Sequence, residues 1–173
     1  MVGTLDSPID LDQVNGFIDQ AARTLPMGAG LRGGGLETIV FCGGCFDWLH
    51  WGHVDFLQRA RSLGTKLVVG LNSDNSIKAL KGGDRPLLPF AYRRGTLLAL
   101  RSVTEVLPME EPASLILRLR PHIVVKGPGY KAETMPERHA AEKVGARIVI
   151  LDGPPMSTTS LLEKINAAGS CPG

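Results

Sequence analysis

Five short apolar runs, each followed by a stretch of helical spacing, constrain this chain more than any other feature. The runs cover residues 37–42 (ETIVFC), 66–71 (KLVVGL), 103–107 (VTEVL), 122–126 (HIVVK) and 146–151 (ARIVIL). Between and after them, apolar residues recur every three or four positions over 51–63, 90–101, 113–119, 133–144 and 158–168. Strands that are apolar almost throughout must be covered on both faces, and strands that alternate with helices pair in parallel. The pattern therefore predicts an α/β fold: a Rossmann-like, doubly wound parallel sheet of about five strands with helices on both faces. Ligands of such sheets bind beyond the carboxyl ends of the strands, where the strand order reverses.

Length and composition narrow the classes further. The chain has 173 residues, enough to bury roughly 70% of its extended surface in one domain. Nineteen basic and 17 acidic residues leave a net charge of +2, too balanced for a nucleic-acid partner held by bulk electrostatics. No run approaches the roughly 18 apolar residues of a membrane span, and the acidic N-terminus lacks the regions of a signal peptide. Three cysteines are too few for a disulfide framework, so a cytoplasmic protein with reduced thiols and no membrane partner is expected. Residues 9–24 have the spacing of a short amphipathic helix, and residues 26–35 carry five glycines in their last eight positions. The expected organisation is a helix and glycine-rich linker over 1–35, the main domain over 36–168 and a flexible tail over 169–173. Gly and Pro number 21 and 12, about 19% of the chain together, against roughly 12% on average. Part of that excess is the linker; the rest falls in loops after strands.

The most informative loop is FCGGCFDWLHWGH, residues 41–53. Gly43 and Gly44 directly follow the first strand, where a backbone without Cβ atoms lets a ligand approach. His50 and His53 bracket the start of the next helix, and unpaired amides at a helix N-terminus suit an anion such as phosphate. With Gly52 between them, both imidazoles can point at the same phosphate. Two histidines alone are equally readable as a core residue and a helix cap. The preceding Gly-Gly and the Phe46-Asp47 pair tip the reading toward a site.

The stretch Gly44-Cys45-Phe46-Asp47-Trp48-Leu49-His50-Trp51-Gly52-His53 resembles the GxFDxxHxGH signature of the cytidylyltransferase-like nucleotidyltransferases, matching all six fixed positions. The resemblance implies that His50 and His53 hold a triphosphate and stabilise charge on its α-phosphate as pyrophosphate leaves, with Asp47 toward the second substrate. Residues 67–86, Pro89 with Arg93 and Arg94, residues 120–127 and Ser157-Thr158-Thr159 resemble the heptose 1-phosphate adenylyltransferase branch. The likeness runs from about residue 37 to 167. It implies ATP and a sugar 1-phosphate as substrates and an ADP-sugar as product. Glycerol-3-phosphate cytidylyltransferases, acting with CTP, also favour Trp between the histidines and stand as the alternative. A non-catalytic nucleotide sensor on the same fold is a third reading. Two departures stand out: Cys42-Gly43 replaces Thr-Asn, and Gly127-Pro128-Gly129 replaces Gly-Gly-Asp. The second removes an acidic residue, which opens the reading to a different sugar 1-phosphate. Relatives in this branch often carry a sugar kinase ahead of this domain; 36 residues leave no room for one, so any kinase is expected to be a separate protein.

Several further residues are candidates. Lys81 lies in the Gly-rich ALKGGDRP segment, read as a mobile loop that can bring the lysine over a triphosphate. Arg85 shares that segment, and each is otherwise an ordinary surface cation. Lys126 ends the fourth strand at the ligand-binding edge. Ser157, Thr158 and Thr159 open the last helix, where hydroxyls cap it or donate to a phosphate. Asn72 and Asp74 end the second strand and are equally natural turn residues. Cys42 and Cys45 form a single CxxC, which is a weak redox or metal signal. Cys42 reads better as a small buried residue and Cys45 as a variable motif position. Of Trp48 and Trp51, one is expected in the core and one on a pocket wall. The assignment is thus catalytic His50, His53 and Lys81. The nucleotide contacts are Gly43, Gly44, Cys45, Phe46, His50, Gly52, His53, Lys126, Ser157, Thr158 and Thr159. The second-substrate contacts are Asp47, Trp51, Asn72, Arg85, Lys126, Gly127 and Tyr130. ATP enters as a substrate, with Mg²⁺ held by substrate oxygens rather than by a carboxylate cluster. Small-molecule partners and, by analogy, a homodimer complete the expectation.

Overall fold

Alternation within the strands divides the core into two layers. In the computed structural model, which describes residues 37–153 and 158–168, the strands are β1 (Ile39–Gly44), β2 (Lys66–Asn72), β3 (Glu105–Met109), β4 (Ile123–Lys126) and β5 (Arg147–Ile150). The helices are α1 (Trp51–Arg61), α2 (Asp74–Lys81), α3 (Phe90–Leu98), α4 (Pro112–Leu119), α5 (Arg138–Val144) and α6 (Thr158–Ala168). On one face Ile39, Phe41, Val68 and Val124 pack on Leu115 and Ile116 of α4 and Ala140 and Ala141 of α5. On the other, Val40, Cys42, Leu67, Val69 and Val125 pack on Leu57 and Ala60 of α1 and Leu97 of α3. Successive side chains of a strand point to opposite faces, so each apolar run feeds both layers. This is why the strands read as continuous rather than alternating.

All four strand pairings are parallel, in the order β3-β2-β1-β4-β5. The chain steps outward from β1 to β3, then returns to place β4 on the other side of β1. The segments after β1 and β4 leave toward opposite faces, since α1 joins one layer and α5 the other. A crevice opens between them, at the carboxyl ends of β1 and β4. No helix among the described residues is long and apolar enough to cross a membrane.

Local structure departs from expectation in three places. Residues 74–81, read as loop, form α2, capped by the Ser73 hydroxyl that accepts from Ser76 N at 3.0 Å. It is short, eight residues, and Ile77 is its only buried residue. The helix expected over 133–144 is broken into a 3₁₀ turn, Ala132–Thr134, and α5. Met135 precedes Pro136 and is held extended at φ −65°, ψ 128°, as the proline ring requires. The first and third strands also run two residues later than their patterns, over Ile39–Gly44 and Glu105–Met109. The N-terminal helix and linker of residues 1–35, Ser157 and the tail 169–173 lie outside the described residues.

The two-layer packing is testable. Leu57 is fully buried under β1 and β2, whereas Leu98, at the end of α3, is 40% exposed. Leu57→Ala is expected to lower unfolding free energy by about 2–5 kcal/mol in urea titrations, and Leu98→Ala by under about 1 kcal/mol.

Candidate active site

The loop after β1 is shaped by close packing. A Cβ on Gly44 would stand 2.9 Å from Phe46 Cε2, because the Phe46 ring folds back over the strand end. Phe46 itself takes a left-handed backbone, φ 42°, which a non-glycine residue adopts only when its surroundings impose it. Glycine here serves the protein's own turn as well as access to the crevice. The turn is imposed from below by Arg93 of α3, which is 1% exposed. Its Nη1 donates to Cys45 O (2.7 Å), Nη2 to Asn72 O (2.9 Å) and Asp74 Oδ1 (2.6 Å), and Nε to Leu88 O (2.9 Å). One guanidinium thus joins the ends of β1 and β2, the start of α2 and the segment before α3.

His50 sits at the N-cap of α1, yet its side chain caps nothing; its carbonyl accepts from His53 N and Val54 N. The two imidazoles lie with centroids 3.9 Å apart, and the Phe46 ring backs His53 at 5.3 Å. Both ring nitrogens of His50 and Nδ1 of His53 are buried without a hydrogen-bond partner. Buried polar atoms are ordinarily paired, so three orphans together mark a place made for a ligand. Burial pushes the His53 imidazole down from 6.5 to about 4; the His50 ring and the Lys81 ammonium add to the depression, while a hydrogen bond to the Trp48 carbonyl opposes it. Burial lowers His50 as well. Both rings are predominantly neutral at pH 7 in this state, each carrying a single N–H, and the His53 ring is already hydrogen-bonded to the Trp48 carbonyl. An anion alongside would draw their pKa values upward.

Two adjoining cavities, of about 240 and 580 Å³, share Gly43, Gly44, Cys45, Phe46, His53, Lys126 and Tyr130 as walls. The smaller adds His50, Gly52 and Gly127. The larger adds Asp47, Asn72, Lys81, Thr158 and Thr159. The crevice therefore gathers most residues singled out from the sequence. Trp51 and Arg85 line neither cavity, and Ser157 lies outside the described residues. Trp48 and Trp51 are 46% and 63% exposed, so neither joins the core. Lys81 is the last residue of α2, not part of a loop, and the break at Gly82 follows it. Thr158 donates from Oγ1 to Trp48 O at 3.2 Å, tying α6 to the histidine loop.

Three charged residues prove to be held by the protein itself. Asp47 Oδ1 accepts from Leu87 N (2.7 Å) and Leu88 N (3.2 Å), and Oδ2 from Arg85 Nη1 (2.7 Å). The motif aspartate thus pins residues 85–88 beside the crevice, and Arg85 is turned toward it. Lys126 is buried in an ion pair with Glu137, beneath the Tyr130 ring. Burial raises the Cys42 thiol to about 12 and raises Cys45 too; both sulfurs are therefore poor nucleophiles and poor ligands. Sequence reasoning passed over Arg93 and Glu137 as site residues. Arg93 had a signal: it lies on the same helical stripe as Phe90 and Leu97, a charge on an apolar face. Glu137, just after a proline at a helix start, looked like an ordinary first-turn acid.

A parallel sheet with a close-packed histidine pair at its switch point has the architecture of ligand-binding α/β domains. The cytidylyltransferase-like family model matches residues 41–164. The chain belongs to that family of nucleotidyltransferases. Over 132 residues it is 46% identical to the bifunctional protein HldE of Syntrophotalea carbinolica, an alignment covering 75% of this chain and 27% of that protein. Over 154 residues it is 42% identical to HldE of Shewanella sediminis, covering 86% and 31%. The chain thus spans about a quarter to a third of the length of these curated relatives. A lipopolysaccharide core biosynthesis protein from Thermoplasma volcanium shares the fold at TM-score 0.55 and 22% identity, over 70% of this chain and 99% of that one. A pantothenate synthetase from Thermus thermophilus does so at TM-score 0.55 and 15% identity, over 84% and 68%.

Two outcomes follow from the site's energetics. Arg93→Met leaves four acceptors without their donor and is expected to cost about 3–5 kcal/mol, with Arg93→Lys no rescue because one ammonium cannot reach them all; chemical denaturation measures both. His53 binds fewer protons folded than unfolded between pH 6.5 and about 4, so stability is complete above that window and falls as pH drops through it. His53→Gln is expected to flatten this part of the stability–pH curve, and NMR titration of the ligand-free protein to place the His53 midpoint near the lower limit.

Proposed function

We propose that this domain is a sugar-phosphate adenylyltransferase, joining ATP and a sugar 1-phosphate, a heptose 1-phosphate by its resemblance, into an ADP-sugar and pyrophosphate. The observation that carries the reading is the His50–His53 pair, with three unpartnered ring nitrogens at the mouth of β1. The relatives' name, bifunctional protein HldE, and the fraction of their length that aligns are in keeping with a chain that supplies one of two activities. In the reaction, an oxygen of the sugar phosphate attacks the α-phosphorus of ATP in line. The bond from that phosphorus to the oxygen bridging to the β-phosphate breaks, and pyrophosphate leaves with the electron pair. Such transfers need positioning and charge stabilisation more than covalent help.

Each residue then has a part. His50 and His53 donate to the phosphate oxygens whose charge grows as pyrophosphate departs. Lys81, from the end of α2, and Thr158 and Thr159, from the start of α6, line the larger cavity and face the phosphates where the two substrates meet. The smaller cavity, walled by Gly43, Gly44, Gly52 and Gly127, takes the nucleotide. The larger one, beside Asp47, Asn72 and Tyr130, takes the sugar phosphate. Asp47 and Arg85 act by holding the crevice wall; Trp51 has no such contact in this state. Mg²⁺ fits as a substrate-held ion: the buried carboxylates at the site, Asp47 and Glu137, already face Arg85 and Lys126. When bound, the metal would neutralise charge on the phosphates. The same reading has the protein acting in the cytoplasm as a homodimer, on small molecules alone, in line with its near-neutral charge.

Pyrophosphate release across a matrix of nucleoside triphosphates and sugar phosphates tests the assignment. Activity is expected with ATP and a sugar 1-phosphate; turnover confined to CTP and glycerol 3-phosphate would overturn it. His53→Ala is expected to lower kcat about a hundredfold or more while the melting curve stays cooperative, and near-wild-type turnover in that variant would refute the charge-stabilising role.

A further inference from the structure

Lys126 lines both cavities, whereas Glu137 lines only the larger. Their side chains are 10% and 3% exposed. Withdrawing two charges from water is costly, and hydrophobic replacements often fold as well or better, so stability is a poor reason for the pair. Glu137 occupies the N-cap of α5, where a carboxylate ordinarily accepts from the free amides of the first turn. Its side chain makes no such bond. It turns instead to the crevice and sets Oε1 against the Lys126 ammonium. That oxygen is buried and receives no directed hydrogen bond. The Tyr130 ring covers the ammonium from another side, 4.9 Å from its centroid.

A carboxylate can only accept. In the larger cavity it repels phosphate and welcomes hydroxyl donors, while Lys81, Lys126 and the two threonines, which line the same space, favour phosphate. A ligand bearing both groups is held in one orientation, with phosphate toward the histidines and hydroxyls toward α5. We propose that Glu137 is a specificity-determining residue for the second substrate: its carboxylate accepts hydrogen bonds from hydroxyls of a phosphorylated sugar or polyol, and Lys126 is its counter-ion at the border with the nucleotide cavity. The inference rests on assigning the larger cavity to the sugar phosphate. A substrate lacking the relevant hydroxyl leaves a buried acceptor without its partner, the arrangement that discriminates most strongly between near-identical ligands.

The test compares the wild-type chain with Glu137→Gln and Glu137→Asp, using pyrophosphate release with ATP, an accepted sugar 1-phosphate and its monodeoxy analogues. Melting curves of the same preparations run alongside. Wild type is expected to disfavour at least one deoxy analogue by about tenfold or more in kcat/KM. Glu137→Gln should reduce that preference to within about twofold and raise the sugar-phosphate KM about tenfold, with the ATP KM within about twofold. A merely structural role would move both KM values together, and that result overturns the inference, as does unchanged discrimination. If Glu137→Gln does not fold, Glu137→Asp keeps the charge, withdraws the oxygens and is read by the same discrimination. Wild-type turnover with unaltered selectivity in Glu137→Asp defeats the role of Glu137 alone. Failure of wild type to use any sugar 1-phosphate defeats the adenylyltransferase reading, and this inference with it.

Discussion

The buried guanidinium of Arg93 is the contact on which the crevice depends. A side chain from α3 reaches under the carboxyl ends of β1 and β2 and closes four hydrogen bonds, onto both strand ends, the start of α2 and the segment before α3. Arginine suits the position because its fork of N–H groups is planar and rigid, so several acceptors are satisfied without reorganisation. Above it, the left-handed Phe46 turn is held, Phe46 stacks on His53, and His53 on His50. Asp47, the next residue, pins the 85–88 segment from the other side. The histidine pair is therefore placed by a chain of contacts that begins in the core.

The site's electrostatics follow from burial rather than from abundant charge. Neutral histidines at a helix start and glycine-backed strand ends suit an anion without a basic surface, in keeping with a net charge of +2. Lys126, which lines the crevice, and Arg85 behind it are each balanced by a carboxylate. The effect is a crevice whose buried cations and carboxylates face one another before any ligand enters. Charges fixed in place before substrate arrives need no reorganisation when charge develops in the reaction.

Much of this was legible before any coordinates. The five strands, the parallel sheet and the histidine pair after β1 all followed from patterns that act locally: apolar runs, helical spacing and a short motif. What stayed hidden was of two kinds. The helix Asp74–Lys81 is only eight residues long and runs straight into Gly82-Gly83, so the glycines dominate the local pattern and Lys81 reads as part of a loop. The roles of Asp47, Arg85, Arg93 and Glu137 depend on partners far away in sequence, and side-chain identity alone does not say whether a charge faces a ligand or another charge. Trp48 and Trp51, bulky and apolar, belong to the surface because both lie where the chain leaves the sheet.

By itself the sequence determined the class of fold and the make-up of the histidine loop after β1, since backbone propensity, burial on both faces and the spacing of two histidines around a helix start are properties of contiguous residues. Only the tertiary structure decided which charges remain available. It spent Asp47 and Arg93 on the scaffold, set Lys126 against Glu137, and left three of the pair's four ring nitrogens without partners, because those outcomes depend on which distant groups the folded sheet brings within hydrogen-bonding reach.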